Sequence, residues 1–443
     1  MSSTLAPCNQ RHYGGCARDF SPDAKDEDDP LSVKKLKKDE GKWAMKKDCL
    51  SFTFDGKNKT CWLEQPKREA ILTVMKGWIK GAKNEVAIPF QEFQSVISKL
   101  RHAFISIPHG KGLLSPMNAV LRVEPDMVYL HRNHPLLTAV TECRILLRES
   151  TLAPTQCKEL VSAWPDYVGV KDASKHGVGG IIIGEGKACT PTVFRYEWPP
   201  DIKASLVSFD NPCGTITNSD LEMAGLLMLY LIMEVVCNLI IGAHVALFSD
   251  NQPTVSWVKR LAAKSSLIAG QLLRALVLRM KKRGTSPLTP LHIPGPQNQM
   301  TDIPSRSFGS EPKWHCIDDS DLLTLFNNKF PLPKQASWTV FRPSKEICMK
   351  VLSVLRMKGT TMEEWTQPPK IGKHIGKIGG PSSSLWEWTL RYRIPHLGTK
   401  SVHSLDLQHS NELATMVEEN KSKLQQSLAL SRPLARRSPW STK

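Results

Sequence analysis

The chain has 443 residues, a formal net charge of +17 and a pI near 9.4, and 41% of its residues are hydrophobic. That length accommodates roughly two or three domains with real cores, and no uninterrupted apolar run reaches the ~18 residues of a membrane span. The excess of positive charge favours an anionic partner, of which nucleic acid is the commonest.

The cysteines and the N-terminus indicate an intracellular protein. Eleven cysteines, an odd number without any Cys-x-x-Cys pair, argue against a disulfide framework and against a zinc knuckle. The first residues lack the charged segment and apolar core of a secretory signal. We therefore expect reduced thiols, a cytoplasmic or nuclear location, and no attachment to a membrane.

The first third of the chain predicts a short polar segment followed by a helical module. Residues 1–48 carry charge runs with few apolar positions, which is typical of disorder or of a truncated remnant. Residues 49–63 read as a β-hairpin around an Asp55-Gly56 turn. Apolar residues at helical spacing then predict helices over about 67–81 and 89–104. Residues 49–150 are therefore expected to form a small α-rich module with one hairpin.

Residues 165–309 change to a pattern of strands and helices. Three strands are predicted in succession, and two more alternate with helices, at 166–172, 178–184, 191–197, 244–249 and 288–293. The predicted helices cover about 220–239, 253–262 and 267–282, with a last one near Asp302. This order predicts an α/β fold with a five-stranded mixed sheet flanked by helices. Residues 310–443 form a basic, Trp-containing C-terminal region whose fold the sequence does not predict.

Four acidic residues stand where this sheet would bring them together. Asp172 and Asp250 each end a predicted strand, Glu222 lies at the start of a long apolar helix, and Asp302 lies in the last helix. Clustered carboxylates repel one another unless a cation is present. Hard Mg²⁺ prefers oxygen ligands, and two such ions can promote phosphodiester hydrolysis. We therefore predict that these four residues are catalytic and hold two Mg²⁺ ions, with Mn²⁺ as a possible substitute, although each acid alone could be a turn or cap residue.

Several neighbouring residues have two interpretations. Asp220 competes with Glu222 as the helical ligand or caps the helix, and we favour Glu222 because small residues follow it where the helix must meet the sheet. Asn251 either donates to the substrate backbone or forms a turn. The basic helix end at Lys281, Lys282 and Arg283 either contacts substrate phosphates or complements the helix dipole.

The motifs in this region resemble the ribonuclease H region of retrotransposon polyproteins of the DIRS-like or gypsy-like type. They are Lys171-Asp-Ala-Ser174, Asn218-Ser-Asp-Leu-Glu222, Phe248-Ser-Asp-Asn251, Pro294-Gly-Pro-Gln-Asn298 and Thr301-Asp-Ile-Pro-Ser-Arg306. Residues 49–121 are similar to the stretch that follows the polymerase palm in these elements. The resemblance implies a ribonuclease H-like fold and metal-dependent hydrolysis of the RNA strand of RNA–DNA hybrids. The aromatic-x-Asp-Asp turn of a polymerase palm is absent, which implies a derivative without polymerase activity.

Two other functions compete with the enzyme. A catalytically inactive nucleic-acid-binding relic would share the fold and the charge, but the presence of all four acids favours the enzyme. A transposase or integrase on the same kind of sheet places its Glu after the second Asp, whereas Glu222 precedes Asp250 in this chain. That order argues against the transposase. The sequence does not indicate an oligomeric state.

Overall fold

The structure is a computed structural model that describes residues 44–161, 165–184, 189–263, 266–308, 318–332, 336–357, 365 and 373–375. Residues 1–43, most of the segment predicted to be disordered, and much of the basic C-terminal region lie outside the described residues. None of the helices in the described ranges is both long and apolar enough to cross a membrane.

The N-terminal part contains the predicted hairpin and a group of helices. Three antiparallel strands and one short returning strand form its sheet, in the order β1 (Lys46–Cys49), β2 (Phe52–Asp55), β3 (Thr60–Leu63) and β6 (Thr155–Gln156). Its helices are α1 (Gln65–Ala82), α2 (Phe90–Ala103), a 3-10 helix (Pro108–Leu114), α3 (Ser115–Val123), α4 (His134–Glu149) and α5 (Cys157–Leu160). A two-stranded pair joins β4 (Ile88–Pro89) to β5 (Met127–Val128). Because β1 begins at Lys46, the ordered module starts slightly before the predicted residue 49.

The main sheet has seven strands rather than the predicted five. The five predicted strands are present as β7 (Tyr167–Ala173), β8 (Gly177–Gly184), β9 (Thr192–Glu197), β10 (Val245–Ser249) and β11 (Thr289–His292). Strands β7, β8 and β9 form an antiparallel meander, and β10 and β11 lie parallel to β7 on its other side. The last two strands are β12 (Thr339–Arg342) and β13 (Lys373–Ile375), and the spatial order is β11-β10-β7-β8-β9-β12-β13.

The two additional strands come from the region whose fold the sequence did not predict. Strand β12 pairs in parallel with β9, so the sheet continues past the predicted boundary at residue 309. Trp338, immediately before β12, is fully buried, and its indole Nε1 donates to the Phe330 carbonyl oxygen at 2.8 Å. The described part of the C-terminal region therefore belongs to the same folded unit as the sheet.

Helices cover both faces of this sheet. They are α6 (Pro200–Ala204), α7 (Asn218–Val236), α8 (Gln252–Arg260), α9 (Leu267–Arg283), α10 (Gln299–Arg306), α11 (Asp319–Lys329) and α12 (Lys345–Leu355). Helix α7 is buried on nearly all sides because it packs between the sheet on one side and α9 and α12 on the other. A helix in that position must be apolar all round, which explains the run Leu226–Met233. Helices α10 and α11 cover the opposite face.

The N-terminal module and the sheet share one hydrophobic core. A continuous cluster of buried residues extends from Phe52 through the module's helices to α7, α9 and α12. A buried ion pair also crosses between the two parts, because Arg274 of α9 donates from Nε to Glu142 of α4 at 2.6 Å. A fully buried charge needs such a partner to be tolerated. The module and the sheet therefore form one folded unit in the described part of the chain.

Candidate metal centre

Asp172 and Asp250 lie side by side because their strands are parallel neighbours. The register pairs Val170 of β7 with Phe248 of β10, and each Asp follows two residues later. The carboxyl ends of parallel strands meet at one edge of a sheet, where ligands commonly bind. Val170 and Phe248 point into the core beneath α10, and alternate residues of a strand share a face. Asp172 and Asp250 therefore project toward that same face. The structure therefore brings these two predicted residues together, and their catalytic role stays a prediction.

Glu222 reaches the same edge from the first turns of α7. The helix begins with a capping box, in which Thr217 accepts from the Asp220 amide at 3.2 Å and Asp220 accepts from the Thr217 amide at 2.8 Å. Close packing follows at Gly225, where an added Cβ would lie 2.9 Å from Val178 Cγ2. This contact holds the start of α7 against the strand ends, as the small residues after Glu222 predicted.

Asp172, Glu222 and Asp250 together form what we call the acidic cluster. Each offers a carboxylate oxygen within 4.8 Å of the others. Together with Asn218, Asn251 and other residues they line an open cleft of about 370 Å³. Metal–oxygen bonds of about 2.0–2.6 Å would allow all three oxygens to reach one ion. The donor set therefore fits a hard divalent cation.

Burial and mutual repulsion affect the protonation of the acidic cluster. Burial, with the negative charge of Glu222 as the next cause, raises the pKa of Asp172 to about 7. Burial also raises the pKa of Glu222, and Lys171 opposes that change. The hydroxyl of Ser305 donates to Asp172 at 2.5 Å, which favours the carboxylate form. A bound cation would favour the ionised forms of both acids.

Lys171 is a member of the site that the sequence analysis did not single out. Its side chain is fully buried, and its Nζ donates to Glu222 Oε2. Alternation along β7 places Lys171 on the face covered by α7, opposite to Asp172. The signal in the sequence was a lysine inside the apolar strand Tyr167–Ala173, because a buried ammonium needs a carboxylate partner.

Asp302 lies beside the acidic cluster but outside it. It does not line the cleft, and one of its carboxylate oxygens is 3.2 Å from Arg306 Nη2. Its helix α10 acts on the cluster mainly through Ser305 and through Arg306, whose Nε is 4.0 Å from Asp172 Oδ2. The expectation that all four carboxylates converge is therefore met by three of them. Asp302 lies one turn before Ser305 on the same face of α10, but its carboxylate pairs with Arg306. Its negative charge is a minor cause of the raised pKa of Asp172.

Hydrogen bonds distinguish Asp220 from Glu222, whereas Asn251 keeps both of its possible roles. Asp220 is engaged in the capping box and accepts from the Ser266 hydroxyl, so Glu222 is the residue that faces the cleft. Asn251 lines the cleft and also caps α8, accepting from the Thr254 amide at 2.9 Å. Its side-chain amide nitrogen is directed to Ser219 Oγ at 3.4 Å. Both interpretations of Asn251 are thus compatible with its position.

The predicted basic contact at Lys281, Lys282 and Arg283 lies elsewhere. The following residue, Gly284, accepts from the Gly242 amide, at the start of β10, whereas the acidic cluster is at the end of that strand. The two ends of β10 are on the order of 15 Å apart. Arg283 Nε is 3.4 Å from Glu234 Oε1, and Lys281 and Arg283 are both half-buried, so of the three only Lys282 is exposed. The structure therefore does not place these residues where they were predicted to act.

Comparison with known proteins adds no family to these observations. No protein-family model matches the chain, and no curated protein is significantly similar to it. The interpretation of the site consequently depends on its own geometry and chemistry. These define two buried carboxylates and a partly exposed third, with one buried lysine, at an open edge of a mixed sheet.

Proposed function

We propose that the chain is a metal-dependent hydrolase of the ribonuclease H type, which cleaves the RNA strand of RNA–DNA hybrids. The observation that most directly supports this proposal is the convergence of Asp172, Glu222 and Asp250 at the ends of β7 and β10. A mixed sheet flanked by helices, which the resemblance of residues 165–309 to the ribonuclease H region of retroelements implies, also supports the proposal.

The acidic cluster would hold the metal through hard oxygen ligands. Mg²⁺ or Mn²⁺ held there would supply the Lewis-acid chemistry that phosphodiester hydrolysis requires, by polarising a phosphate oxygen and activating a water. Ser305 orients the Asp172 carboxylate by donating to its Oδ2. The Ala173 amide nitrogen, 3.4 Å from Glu222 Oε1, orients the second acid. Because these supporting groups belong to a strand and a helix, the ligands are held by rigid elements.

Polar and basic groups around the cleft suit a phosphate backbone. Lys175 and His176 line the cleft from the β7–β8 turn, and Arg306 lines it from α10. Lys175 is exposed and the Arg306 side chain is 46% exposed, so both can meet a strand that enters from solvent. We therefore assign phosphate contacts to these residues, in place of the remote helix end at Lys281–Arg283.

A cleavage assay tests the proposal. Wild type should cut the RNA strand of a labelled RNA–DNA hybrid in Mg²⁺ and not in EDTA. Asp250→Asn should lose cleavage by a factor of about 100 or more while keeping hybrid affinity, because it removes a ligand charge and leaves the basic surface intact. Asp210→Asn makes the same change on an exposed loop and should cleave normally. The proposal is rejected if wild type shows no Mg²⁺-dependent cleavage, or if Asp250→Asn cleaves the hybrid as fast as wild type does.

The inactive nucleic-acid-binding relic keeps one observation in its favour. The ammonium of Lys171 already neutralises Glu222, so one of the three ligands has a resident cation. A protein of this kind would bind the hybrid with a salt-dependent affinity and leave it uncut at every Mg²⁺ concentration. The same assay, run with a binding measurement on wild type, separates the two functions.

A further inference from the structure

We propose that Lys171 takes the place of one of the two expected metal ions, so that the acidic cluster binds a single divalent cation. This inference rests on the proposed function, because it concerns how many ions the hydrolytic site holds. Lys171 is thereby a positioning residue, which acts through Glu222 and sets the metal stoichiometry.

The first support is the way in which Lys171 is enclosed. Its side chain is fully buried, and its Nζ reaches Glu222, which is itself buried. The stem of the lysine passes Gly225 of α7, where an added Cβ would lie 3.5 Å from Lys171 Cδ. A buried ammonium has lost its contact with water and is stabilised by its carboxylate partner. The cation is therefore a fixed part of the site.

The second support is the charge that remains for a metal. Three carboxylates contribute −3 and Lys171 contributes +1, so the acidic cluster carries −3 + 1 = −2 when ionised. The adjacent ion pair of Asp302 and Arg306 adds no net charge. One divalent cation neutralises this sum, whereas two would leave an excess of +2 beside buried Lys171. Such an excess would repel the buried ammonium of Lys171.

The third support is the use of the Glu222 oxygens. Oε2 accepts from Lys171, and Oε1 is 3.4 Å from the Ala173 amide nitrogen. These two donors leave Glu222 fewer of its roughly four lone-pair sites for bridging two ions. The oxygens of the acidic cluster lie within 4.8 Å of one another, which suits a single shared ion. Charge, enclosure and ligand separation thus agree on one cation.

The test counts bound metal on the folded full-length chain without substrate. Mn²⁺ is titrated at neutral pH, and the free ion is measured by electron paramagnetic resonance, for wild type, Lys171→Met, Lys171→Arg and Lys259→Met. Lys259 is an exposed lysine of α8 and serves as the control for loss of one positive charge. Wild type should bind one Mn²⁺ per chain. Lys171→Met should bind a second ion, or bind the first about tenfold more tightly, because a nearby positive charge has been removed.

The remaining variants separate a role in metal binding from a role in folding. Lys171→Arg and Lys259→Met should match wild type in ion count and affinity. Thermal unfolding with and without Mn²⁺ provides a second readout, and Lys171→Met should gain more from the metal than wild type does. A merely structural lysine would lower the melting temperature and leave the ion count, the affinity and the metal-induced gain unchanged, which would overturn the inference.

Wild type alone decides the inference if Lys171→Met does not fold. Two Mn²⁺ ions bound to wild type would overturn the single-ion inference and leave the proposed hydrolase standing. No bound Mn²⁺ and no cleavage would overturn the inference together with the proposed function. One bound ion supports the inference. The number of bound Mn²⁺ ions therefore distinguishes failure of the single-ion inference from failure of the proposed hydrolase.

Discussion

The substitution Asp172→Asn separates two properties of the acidic cluster, namely its electrostatic cost to folding stability and its capacity to hold a metal. Burial and the neighbouring Glu222 raise the pKa of Asp172 from 3.8 to about 7. The folded protein therefore binds this proton more tightly than the unfolded chain does. The contribution of Asp172 to stability is greatest below pH 3.8, and it is lost as the pH rises to about 7. An Asn at this position carries no charge and can still accept from Ser305.

The size of the effect follows from that interval. Between 3.8 and about 7 the difference in proton affinity corresponds to about 4 kcal/mol, which is an upper limit because water and ions relax around the charge. We expect Asp172→Asn to raise the free energy of unfolding by about 1–4 kcal/mol above pH 7 in EDTA, and by little near pH 4. Saturating Mg²⁺ should add about 2–3 kcal/mol to wild type at a hundredfold excess over the dissociation constant, and much less to the variant.

Urea denaturation, followed by circular dichroism, measures these free energies at both pH values, with EDTA and with Mg²⁺. Asp302→Asn is the matched control, because its carboxylate is 28% exposed and lies outside the acidic cluster. It should change the free energy of unfolding by less than Asp172→Asn does. The reasoning is refuted if Asp172→Asn loses stability above pH 7 in EDTA, or if Mg²⁺ stabilises the variant as strongly as wild type.

Three further predictions concern residues around the site and the shared core. Asp220→Ala should cost about 1 kcal/mol in urea denaturation, because it removes the N3 carboxylate of the capping box of α7. It should leave Mn²⁺ affinity within twofold, and a tenfold loss would make Asp220 a ligand. Arg274→Met should lower the free energy of unfolding by about 3–5 kcal/mol, because it leaves Glu142 buried without its charged partner. Adding Glu142→Leu should recover most of that stability, and a failure to recover it would contradict the assigned pair. Arg306→Ala should lower by about one the slope of log affinity for the hybrid against log salt concentration, while Lys282→Ala should leave that slope unchanged. The reverse result would assign substrate binding to the end of α9.

Local patterns in the sequence predicted most of the sheet. Strand β7 begins and ends one residue from its predicted bounds, and the hairpin turn at Asp55-Gly56 lies between β2 and β3 as expected. The extension by β12 was not predictable, because its four residues carry no periodic signal and acquire strand geometry by pairing with β9. The shared core was missed for a similar reason. Arg274 and Glu142 are 132 residues apart in the chain, and either one alone reads as a solvated charge.

The acidic site was predictable where strand ends determine position. Asp172 and Asp250 follow from the parallel pairing of two recognisable strands, and Glu222 follows from the close approach at Gly225. Asp302 lies beside the three carboxylates because it pairs with Arg306 of its own helix, and the sequence alone does not distinguish that ion pair from a fourth metal ligand. Lys171 was overlooked because its partner lies on a separate element, 51 residues away.

Strand β12 also covers the edge of β9, the last of the five predicted strands in the sheet. In a five-stranded sheet β9 would be an edge strand, with a row of unpaired backbone groups that could template pairing with another chain. Here the Thr339 amide donates to the Pro191 carbonyl oxygen, and the hydroxyls of Thr192 and Thr339 bond at 3.1 Å beneath it. Proteolytic loss of the chain beyond residue 317 would uncover this apolar border. We expect such a truncated chain to self-associate through β9, so β12 protects the edge of β9 as well as completing the sheet.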